Sequence, residues 1–356
     1  MKVIHVSGAK SWRGGEQQIA YLLDELSEQS SLFCPEKAPL VEYARRREIP
    51  VRTYRRRWAA GRSLTQYAHS QKADLIHLHD AHAHQIGVLS ATFAQNRALM
   101  VLSRRVFFRP SPNPISRWRY NHSAIRRILC VSEAVRELHR SYVRRPERLV
   151  VVPSGIDPDK FPKQPTGKLR HVLQLTPEVP LIGTVGALTA EKDHRRFLEV
   201  ALAYRQQNKT AHFVLIGEGR ERQSLEQFVR EHQLEDRVHL LGFRDDIPDL
   251  LPDLDVFLFT SRHEGLGTSV LDAFAAGVPV VATDAGGIPE MVRHGETGRL
   301  SAVGDTEQLF REVQHLLTYP EHAQRLVTQA GAYLQQRFTK TAMAEATYQV
   351  YRELLG

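Results

Sequence analysis

The 356-residue sequence contains little cysteine and no long apolar run, and both absences limit what the protein can be. Its two cysteines, Cys34 and Cys130, lie far apart and lack the spacing of a metal site, so we expect two inert core thiols in a reducing cytoplasm. No run of about eighteen apolar residues occurs, which excludes a typical membrane-spanning helix. The first residues form a short apolar run without the hydrophobic core of a secretory signal, so we expect none.

Acidic residues are scarce in the first part of the chain. Residues 1–166 contain 28 lysines and arginines but only 14 acids, a net charge of +14, whereas residues 167–356 have a net charge of −6. Such asymmetry predicts an anionic partner for the first part. The candidates are a phosphorylated ligand, an anionic lipid surface and nucleic acid.

The chain is long enough for two domains, and its apolar runs alternate with helical patterns. Strands are predicted at 2–6, 74–78, 99–103, 128–131 and 149–152, then at 181–185, 212–216, 238–241, 256–259 and 278–282. Strands alternating with helices predict an α/β protein with two Rossmann-like parallel sheets that face each other across a cleft. A polar, proline-containing stretch sets the predicted domains at 1–166 and 167–336.

The most informative segment covers residues 262–282. Glu264 precedes a turn containing Gly265, Leu266 and Gly267, and the glycines allow close approach of a ligand to the backbone. A helix is expected next, with Thr268 or Ser269 as its N-cap. Its start can hold a phosphate through free N–H groups and the helix dipole.

One turn into this helix lies Asp272, whose carboxylate can bind sugar hydroxyls near that phosphate. Gly277 ends the helix and an apolar strand follows. Phosphate together with sugar indicates a nucleotide-sugar. The alternative is an ordinary helix–strand unit with two solvated acids.

Other candidate ligand groups lie in loops that follow predicted strands, at the edge where parallel sheets bind ligands. Lys192 is a flexible cation suited to a diphosphate. Gly14 and Gly15 follow the first strand, and their spacing fits neither a dinucleotide fingerprint nor a P-loop. The remaining loop of this kind consists of Gly217, Glu218 and Gly219, which a plain strand-to-helix turn explains equally well.

Four histidines crowd residues 77–84. His77, His79, His82 and His84 surround Asp80, as in a loop that supplies ligands to a catalytic metal. A metallohydrolase is therefore one alternative. We favour imidazoles at the edge of a ligand cleft, with His82 as a contact to a sugar hydroxyl.

Short arginine runs account for much of the basic charge. Arg55, Arg56 and Arg57 lie next to Trp58, a combination suited to an anionic membrane surface. Interleaved arginines and aromatics also occur in nucleic-acid-binding proteins, a further alternative. No recognised nucleic-acid module is present, so we expect no nucleic-acid partner.

Taken together, these motifs resemble the bacterial retaining glycosyltransferases of family 4, the "glycosyl transferase group 1" proteins, which have the GT-B fold. The resemblance is strongest over residues 180–300, where Glu264 and Asp272 match the E-x7-E motif. Residues 278–290, 295–298 and 183–192 match the segments around it. Fainter matches are residues 131–132, residues 153–157 and the Gly14–Gly15 pair.

The resemblance implies roles for these residues. Glu264 would contact the donor sugar and Asp272 the ribose. Lys192 and the backbone at Gly267 and Thr268 would hold the diphosphate, and the loop at 217–219 would approach the base. It also implies that a helix near residues 337–356 returns to the first domain, consistent with an apolar face over residues 348–355.

Three departures from the family pattern stand out. The second motif acid is Asp272 rather than glutamate, one methylene shorter. The usual phosphate-binding arginine is replaced by Ala187. The family histidine after the fourth strand has no clear counterpart, because that place reads Ser103, Arg104, Arg105. Arg104 and Arg105 are therefore candidates for binding phosphate or the acceptor.

The sequence thus predicts a cytoplasmic enzyme, peripheral on the inner membrane face in one interpretation. It would move a sugar with retention from a nucleoside diphosphate sugar to an anionic or lipid-linked acceptor, in cell-envelope polysaccharide or lipopolysaccharide synthesis. No metal or other cofactor is expected. A nucleotide-sugar epimerase of the same fold is an alternative. The predicted catalytic residues are Glu264, Lys192 and His82, and the predicted donor-binding residues are Gly14, Gly15, Gly217, Glu218, Gly219, Gly265, Leu266, Gly267, Thr268 and Asp272.

Overall fold

The computed structural model describes all of residues 1–356, which form two compact units. The first consists of Met1–Gly155 and Thr339–Gly356, and the second of Ile156–Phe338. The first therefore ends eleven residues before the predicted boundary at 166. The reason is local bonding: Ile156 N donates to Phe338 O at 2.9 Å, and Thr166 Oγ1 donates to Asp249 O at 2.7 Å. The predicted boundary at 336 falls close to the observed one.

The first unit is a seven-stranded parallel sheet with the order β3-β2-β1-β4-β5-β6-β7. Its strands are β1 Val3–Val6, β2 Ser30–Pro35, β3 Val51–Tyr54, β4 Leu75–Leu78, β5 Leu99–Arg104, β6 Ile125–Cys130 and β7 Leu149–Val151. Its helices are α1 Gly14–Glu25, α2 Pro39–Arg46, α3 Arg57–Gln71, α4 Ala81–Phe93, α5 Pro114–Tyr120, α6 Glu133–Arg140 and, from the end of the chain, α14 Lys340–Leu355.

The central strands are buried along their length, as expected for a parallel sheet covered by helices on both faces. One face is covered partly by α14, which packs against α1. Tyr351, fully buried, shares a core cluster with Val3, Leu75 and Met343. Residues 339–356 thus belong to the core of the first unit.

The second unit is a six-stranded parallel sheet with the order β10-β9-β8-β11-β12-β13. Its strands are β8 Leu181–Val185, β9 His212–Ile216, β10 Val238–Gly242, β11 Val256–Phe259, β12 Val280–Thr283 and β13 Arg299–Ser301. Its helices are α7 Lys168–Leu173, α8 His194–Gln206, α9 Arg222–Glu231, α10 Ile247–Leu250, α11 Thr268–Ala275, α12 Thr306–Thr318 and α13 Pro320–Arg337.

Both sheets place their strands in the same sequential order, third-second-first-fourth-fifth outward, as in a Rossmann-like sheet. The architecture is that of the GT-B fold. The charge difference persists with the observed boundaries, because residues 156–166 and 339–356 each carry two basic and two acidic side chains. No helix is both long and apolar enough to cross a membrane.

Candidate functional site

The second unit presents the start of α11 at the carboxyl end of its sheet. The N-cap is Gly267, with φ +91°, rather than the predicted Thr268 or Ser269, and no side chain caps the helix. The left-handed backbone suits glycine, and a Cβ there would lie 2.7 Å from Ile288 Cδ1. Because no side chain occupies them, the first N–H groups of α11 are suited to an anion.

Beside this helix start, Glu264 and Lys192 form an ion pair between carboxylate Oε2 and ammonium Nζ. Both side chains are mostly buried, with 15% and 22% of their areas exposed. Lys192 Nζ also lies 4.8 Å from the centre of the Phe259 ring. An ammonium has three donors, so a lysine bonded to Glu264 retains donors for phosphate oxygens.

A second ion pair braces the loop that carries this lysine, and sequence reasoning did not identify it. Arg262 Nε donates to Asp193 Oδ2 at 2.6 Å, and Arg262 N donates to Glu191 O at 2.8 Å. Thr260 Oγ1 bonds the carbonyl of Lys192 at 3.2 Å. No local pattern signals these contacts, since they join residues about seventy positions apart.

Asp272 lies in the second turn of α11 and is half-buried. Desolvation by the surrounding protein raises the pKa of its carboxyl to about 7, and the charge of Lys160 opposes that shift. The carboxyl therefore titrates near neutral pH, where a hydroxyl donor from a sugar would favour its ionised form.

The predicted base-contacting loop packs tightly against the loop after β8. A Cβ at Gly217 would lie 1.8 Å from Gly186 O, and one at Gly219 would lie 2.3 Å from Leu188 O. Glu218 forms an ion pair with the guanidinium of Arg222, the first residue of α9. The two glycines are therefore required by packing between the loops, while Glu218 has an established structural partner.

In the first unit, Gly14 and Gly15 form the first turn of α1. A Cβ at either glycine would meet no atom within 4 Å, so their surroundings are open. Arg13 N donates to Glu16 Oε2 at 3.1 Å, which fixes the helix start. Burial raises the pKa of the Glu16 carboxyl.

Asp80 organises the edge of this sheet, although the sequence pattern placed it only in the loop of the metallohydrolase alternative. Its Oδ1 accepts from His82 N and Ala83 N at 2.8 and 2.9 Å, and its Oδ2 accepts from Gly8 N at 2.6 Å. An aspartate between a strand and a helix is a recognisable N-cap signal. His82, the predicted sugar contact, is exposed at the start of α4, next to Gly8.

The structure separates the four histidines of the metallohydrolase alternative. His82 is exposed, and His84 is buried against Tyr120, with Nε2 bonded to Arg119 O at 3.1 Å. His77 and His79 lie instead on the other face of the sheet, which α1 and α14 cover. Alternation of side chains along a strand, followed by the turn into α4, explains the separation.

There His77 and His79 join His5, and the candidate ligand atoms of the three lie within 4.8 Å of one another. Each ring already has hydrogen-bond partners: His5 bonds His79 at 2.9 Å, and His77 bonds Ser103 Oγ at 2.7 Å. The Arg105 guanidinium lies 3.2 Å from His79 Nδ1, where it would repel a metal cation. Burial lowers the pKa of His5 to about 3 and that of the other two well below the usual value. These features favour a neutral hydrogen-bonded network over a metallohydrolase centre.

Arg104 and Arg105, predicted as a pair, lie on opposite faces of the first sheet. Arg105 contacts His79 on the face covered by α1 and α14, and burial lowers its pKa to about 10, so it remains charged at neutral pH. Arg104 turns to the other face, where its guanidinium lies 5.6 Å from the centre of the Tyr120 ring. The two cannot act as one fork because consecutive strand residues alternate in direction.

Comparisons with known proteins bear on both units. The family model described as "Glycosyl transferases group 1" matches residues 166–332, and "Glycosyltransferase Family 4" matches residues 12–160. HepE from Anabaena, solved with UDP, aligns over 99% of this chain and 100% of its own, with a TM-score of 0.86 and 22% identity.

Two curated relatives come from Streptomyces kanamyceticus. One, 2-deoxystreptamine glucosyltransferase, is 31% identical over 59% of this chain and 56% of its own length. The other, alpha-D-kanosaminyltransferase, is 26% identical over 68% of this chain and 64% of its own. The matched parts thus cover less than two thirds of these relatives.

Proposed function

Because the chain belongs to the group 1 glycosyltransferases, we propose that it transfers a sugar from a nucleoside diphosphate sugar to an acceptor hydroxyl with retention of configuration. One observation carries the proposal: the Lys192–Glu264 pair lies beside the uncapped start of α11, with Asp272 inside the same helix. Cation, free N–H groups and carboxylate are the groups that a diphosphate and its two sugars require.

The proposed reaction breaks the bond between C1 of the sugar and the diphosphate oxygen, and the acceptor oxygen bonds to C1 on the same face. The acceptor proton passes to the departing phosphate. Lys192 and the N–H groups of α11 stabilise the negative charge on the leaving group, and Glu264 orients both the lysine and the sugar. Asp272 accepts hydrogen bonds from the ribose. With this cationic set we propose that no metal is required.

We propose that the base of the donor nucleotide is uracil, so that the donor is a UDP-sugar. HepE was also solved with UDP-glucose, and one Escherichia coli relative is named UDP-Gal:alpha-D-GlcNAc-diphosphoundecaprenol alpha-1,3-galactosyltransferase. A thermal-shift panel of UDP, GDP and ADP tests the choice. A nucleotide at 100 times its dissociation constant stabilises the protein by about 2.7 kcal/mol. We expect UDP to raise Tm most.

The matched control for this panel is Glu321→Gln, an exposed change in the same unit that should keep the full UDP shift. Release of UDP from UDP-sugars, measured by chromatography, provides a second readout. If no nucleotide raises Tm and no donor is cleaved, the proposed donor site is wrong.

The proposed acceptor belongs to cell-envelope polysaccharide or lipopolysaccharide, and the enzyme is proposed to act in the cytoplasm at the membrane surface. A Rhizobium meliloti relative is named a lipopolysaccharide core biosynthesis glycosyltransferase. In the first unit, Trp58 is 80% exposed and Phe93 77% exposed at an open groove of about 730 Å³ beside α3 and α4. Arg56 and Arg57 begin α3, whereas Arg55 is paired with Glu36 at 2.7 Å.

Vesicle sedimentation tests the membrane surface. Each basic residue near an anionic bilayer contributes about 1 kcal/mol, so the double change Arg56/Arg57→Ser should weaken binding to anionic vesicles by at least about tenfold at low salt. Trp58→Ala should weaken it further, and Arg55→Ser should weaken it less because Arg55 is already paired. Wild-type protein that ignores anionic vesicles would contradict this location and favour an anionic acceptor as the target of the charge.

The epimerase alternative is not favoured. The relatives compared above are named as transferases. Nothing in the histidine network favours epimerisation of a nucleotide-sugar over sugar transfer.

A further inference from the structure

Arg104 is a buried cation without a counter-charge. It is the last residue of β5, at the carboxyl edge of the first sheet, and only 6% of its surface is exposed. Its Nε has no hydrogen-bond partner, and its one close stabilising contact is with the ring of Tyr120. Burying a guanidinium without a carboxylate is costly, so a protein retains it only where the charge is used.

The two histidines packed against Tyr120 supply Arg104 with no negative charge. His84 packs against Tyr120 at 4.8 Å between ring centres, and His139 lies 5.7 Å from the same ring. Burial, together with the charge of Arg104, lowers the pKa of His84 to about 3 and that of His139 to about 4. Both rings are therefore neutral at physiological pH.

Two more buried nitrogens in this group lack partners. They are His139 Nε2 and Arg119 Nε. Arg119 follows Trp118 on α5 and adds a second guanidinium near His84 and Tyr120. We call Arg104, Arg119, His84, His139 and Tyr120 the Arg104 cluster. It holds two cations and no acid. Its unsatisfied donors are Arg104 Nε and Arg119 Nε, whereas His139 Nε2 is an acceptor because His139 Nδ1 donates to Val135 O at 2.9 Å.

We infer that the Arg104 cluster binds an oxyanion of the acceptor, a phosphate or a carboxylate, at the edge of the first sheet. The inference rests on the proposed transferase function and specifies its acceptor. Arginine presents donors in a planar fork that matches such oxyanions, and the absence of acids leaves the full charge available to the ligand. Arg105, on the opposite face, contacts His79 and does not belong to this cluster.

Titration calorimetry with inorganic phosphate tests the inference, on full-length protein first saturated with UDP so that the donor site is occupied. Losing one charge-assisted hydrogen bond reduces affinity by about 10- to 100-fold. We expect this loss in Arg104→Gln, a smaller loss in Arg104→Lys, and no loss in the exposed Arg126→Gln, with UDP affinity unchanged in all three. Phosphate that binds Arg104→Gln as tightly as wild type, or does not bind UDP-saturated wild type, overturns the inference.

The melting temperature separates binding from structure. A cation kept for a ligand is a burden in the free protein, so Arg104→Gln should melt at the same or a higher temperature than wild type without phosphate. A lower Tm with unchanged phosphate affinity would make Arg104 a structural residue and overturn the inference. Failure of UDP to bind contradicts the donor proposal instead, because the phosphate titration can be run without it.

Two further probes identify the source of the oxyanion. Glycerol 3-phosphate represents a soluble acceptor, and phosphatidylcholine vesicles containing phosphatidic acid represent a lipid headgroup. Binding to either that is lost in Arg104→Gln supports the site and identifies its source. Binding to neither overturns it.

Discussion

The two units have the same strand order but treat charge at their ligand edges in opposite ways. In the second, Lys192 is paired with Glu264, and Arg262 with Asp193. In the first, Arg105 rests on a neutral histidine and Arg104 on an aromatic ring. The fold therefore determines where a ligand can bind, while the presence or absence of counter-charges determines how much negative charge the ligand must carry.

A paired lysine is held in position and only partly neutralised. Such a lysine suits a donor whose diphosphate must be bound and then released with additional negative charge. An unpaired arginine has its full charge available, which suits an anionic partner that does not react. The comparison predicts that adding or removing an acidic side chain at the ligand edge will have different effects in the two units.

The largest expected effect comes from removing the charge that holds Lys192. Glu264→Gln should fold normally and lose about 100-fold in transfer rate, because a misplaced catalytic group costs about that much. Steady-state transfer with the true donor measures it, and Glu321→Gln is the matched control in the same unit. Near-normal turnover in Glu264→Gln would refute the role of the pair.

Asp272→Ala should weaken UDP binding by about 10- to 100-fold, equivalent to one charged hydrogen bond of roughly 1.5–3 kcal/mol. Calorimetry at pH 8, where most of the carboxyl is ionised, measures it directly. Unchanged affinity would remove Asp272 from the ribose site.

A pair of tyrosines compares the two cores. Tyr351 Oη bonds His77 Nδ1 at 2.5 Å in the first unit, whereas the buried hydroxyl of Tyr204 in the second has no partner. Tyr351→Phe should lower the free energy of unfolding by about 1–3 kcal/mol, since it leaves a buried imidazole nitrogen unpaired. Tyr204→Phe should be neutral or stabilising. Denaturant titration measures both, and equal losses would show that the network adds no stability.

A further effect concerns pH. The carboxyl of Asp272 has a pKa near 3.8 in its ordinary state and about 7 here. Between these values the folded protein holds a proton that the unfolded chain has lost, so the free energy of unfolding falls as pH rises and levels off above 7. Asp272→Asn removes this dependence, so its Tm advantage over wild type should grow from pH 4 to pH 7. An advantage that is constant with pH would contradict the buried titration.

Much of the fold could be predicted because central parallel strands are continuous apolar runs. Strands β8, β9 and β11 have the predicted bounds, whereas β2, β3 and β13 were not predicted. β2 begins with two serines that are buried by pairing, and β3 is an edge strand with an exposed arginine. Such segments are strands through their neighbours, which a single-sequence pattern cannot show.

The second-unit site was more predictable than the first. Glu264, Gly267 and Asp272 occur within nine residues, so local pattern places them together. The helix cap was misassigned to Thr268 or Ser269 because residue type favours them, although the turn requires a left-handed residue. The first-unit groups come from separate strands. Arg104 and Arg105 lie just after the predicted strand 99–103, so the alternation that directs them to opposite faces was not expected.

Helix α14 has a consequence for the order of folding. Residues 339–356 complete the core of the first unit but are synthesised after the whole second unit. During folding the second unit can therefore close while the first still exposes the apolar surface that Tyr351 and Met343 will cover. The chain should fold from its middle outward, and a chain truncated after residue 338 should have a native second unit attached to an open, aggregation-prone first one.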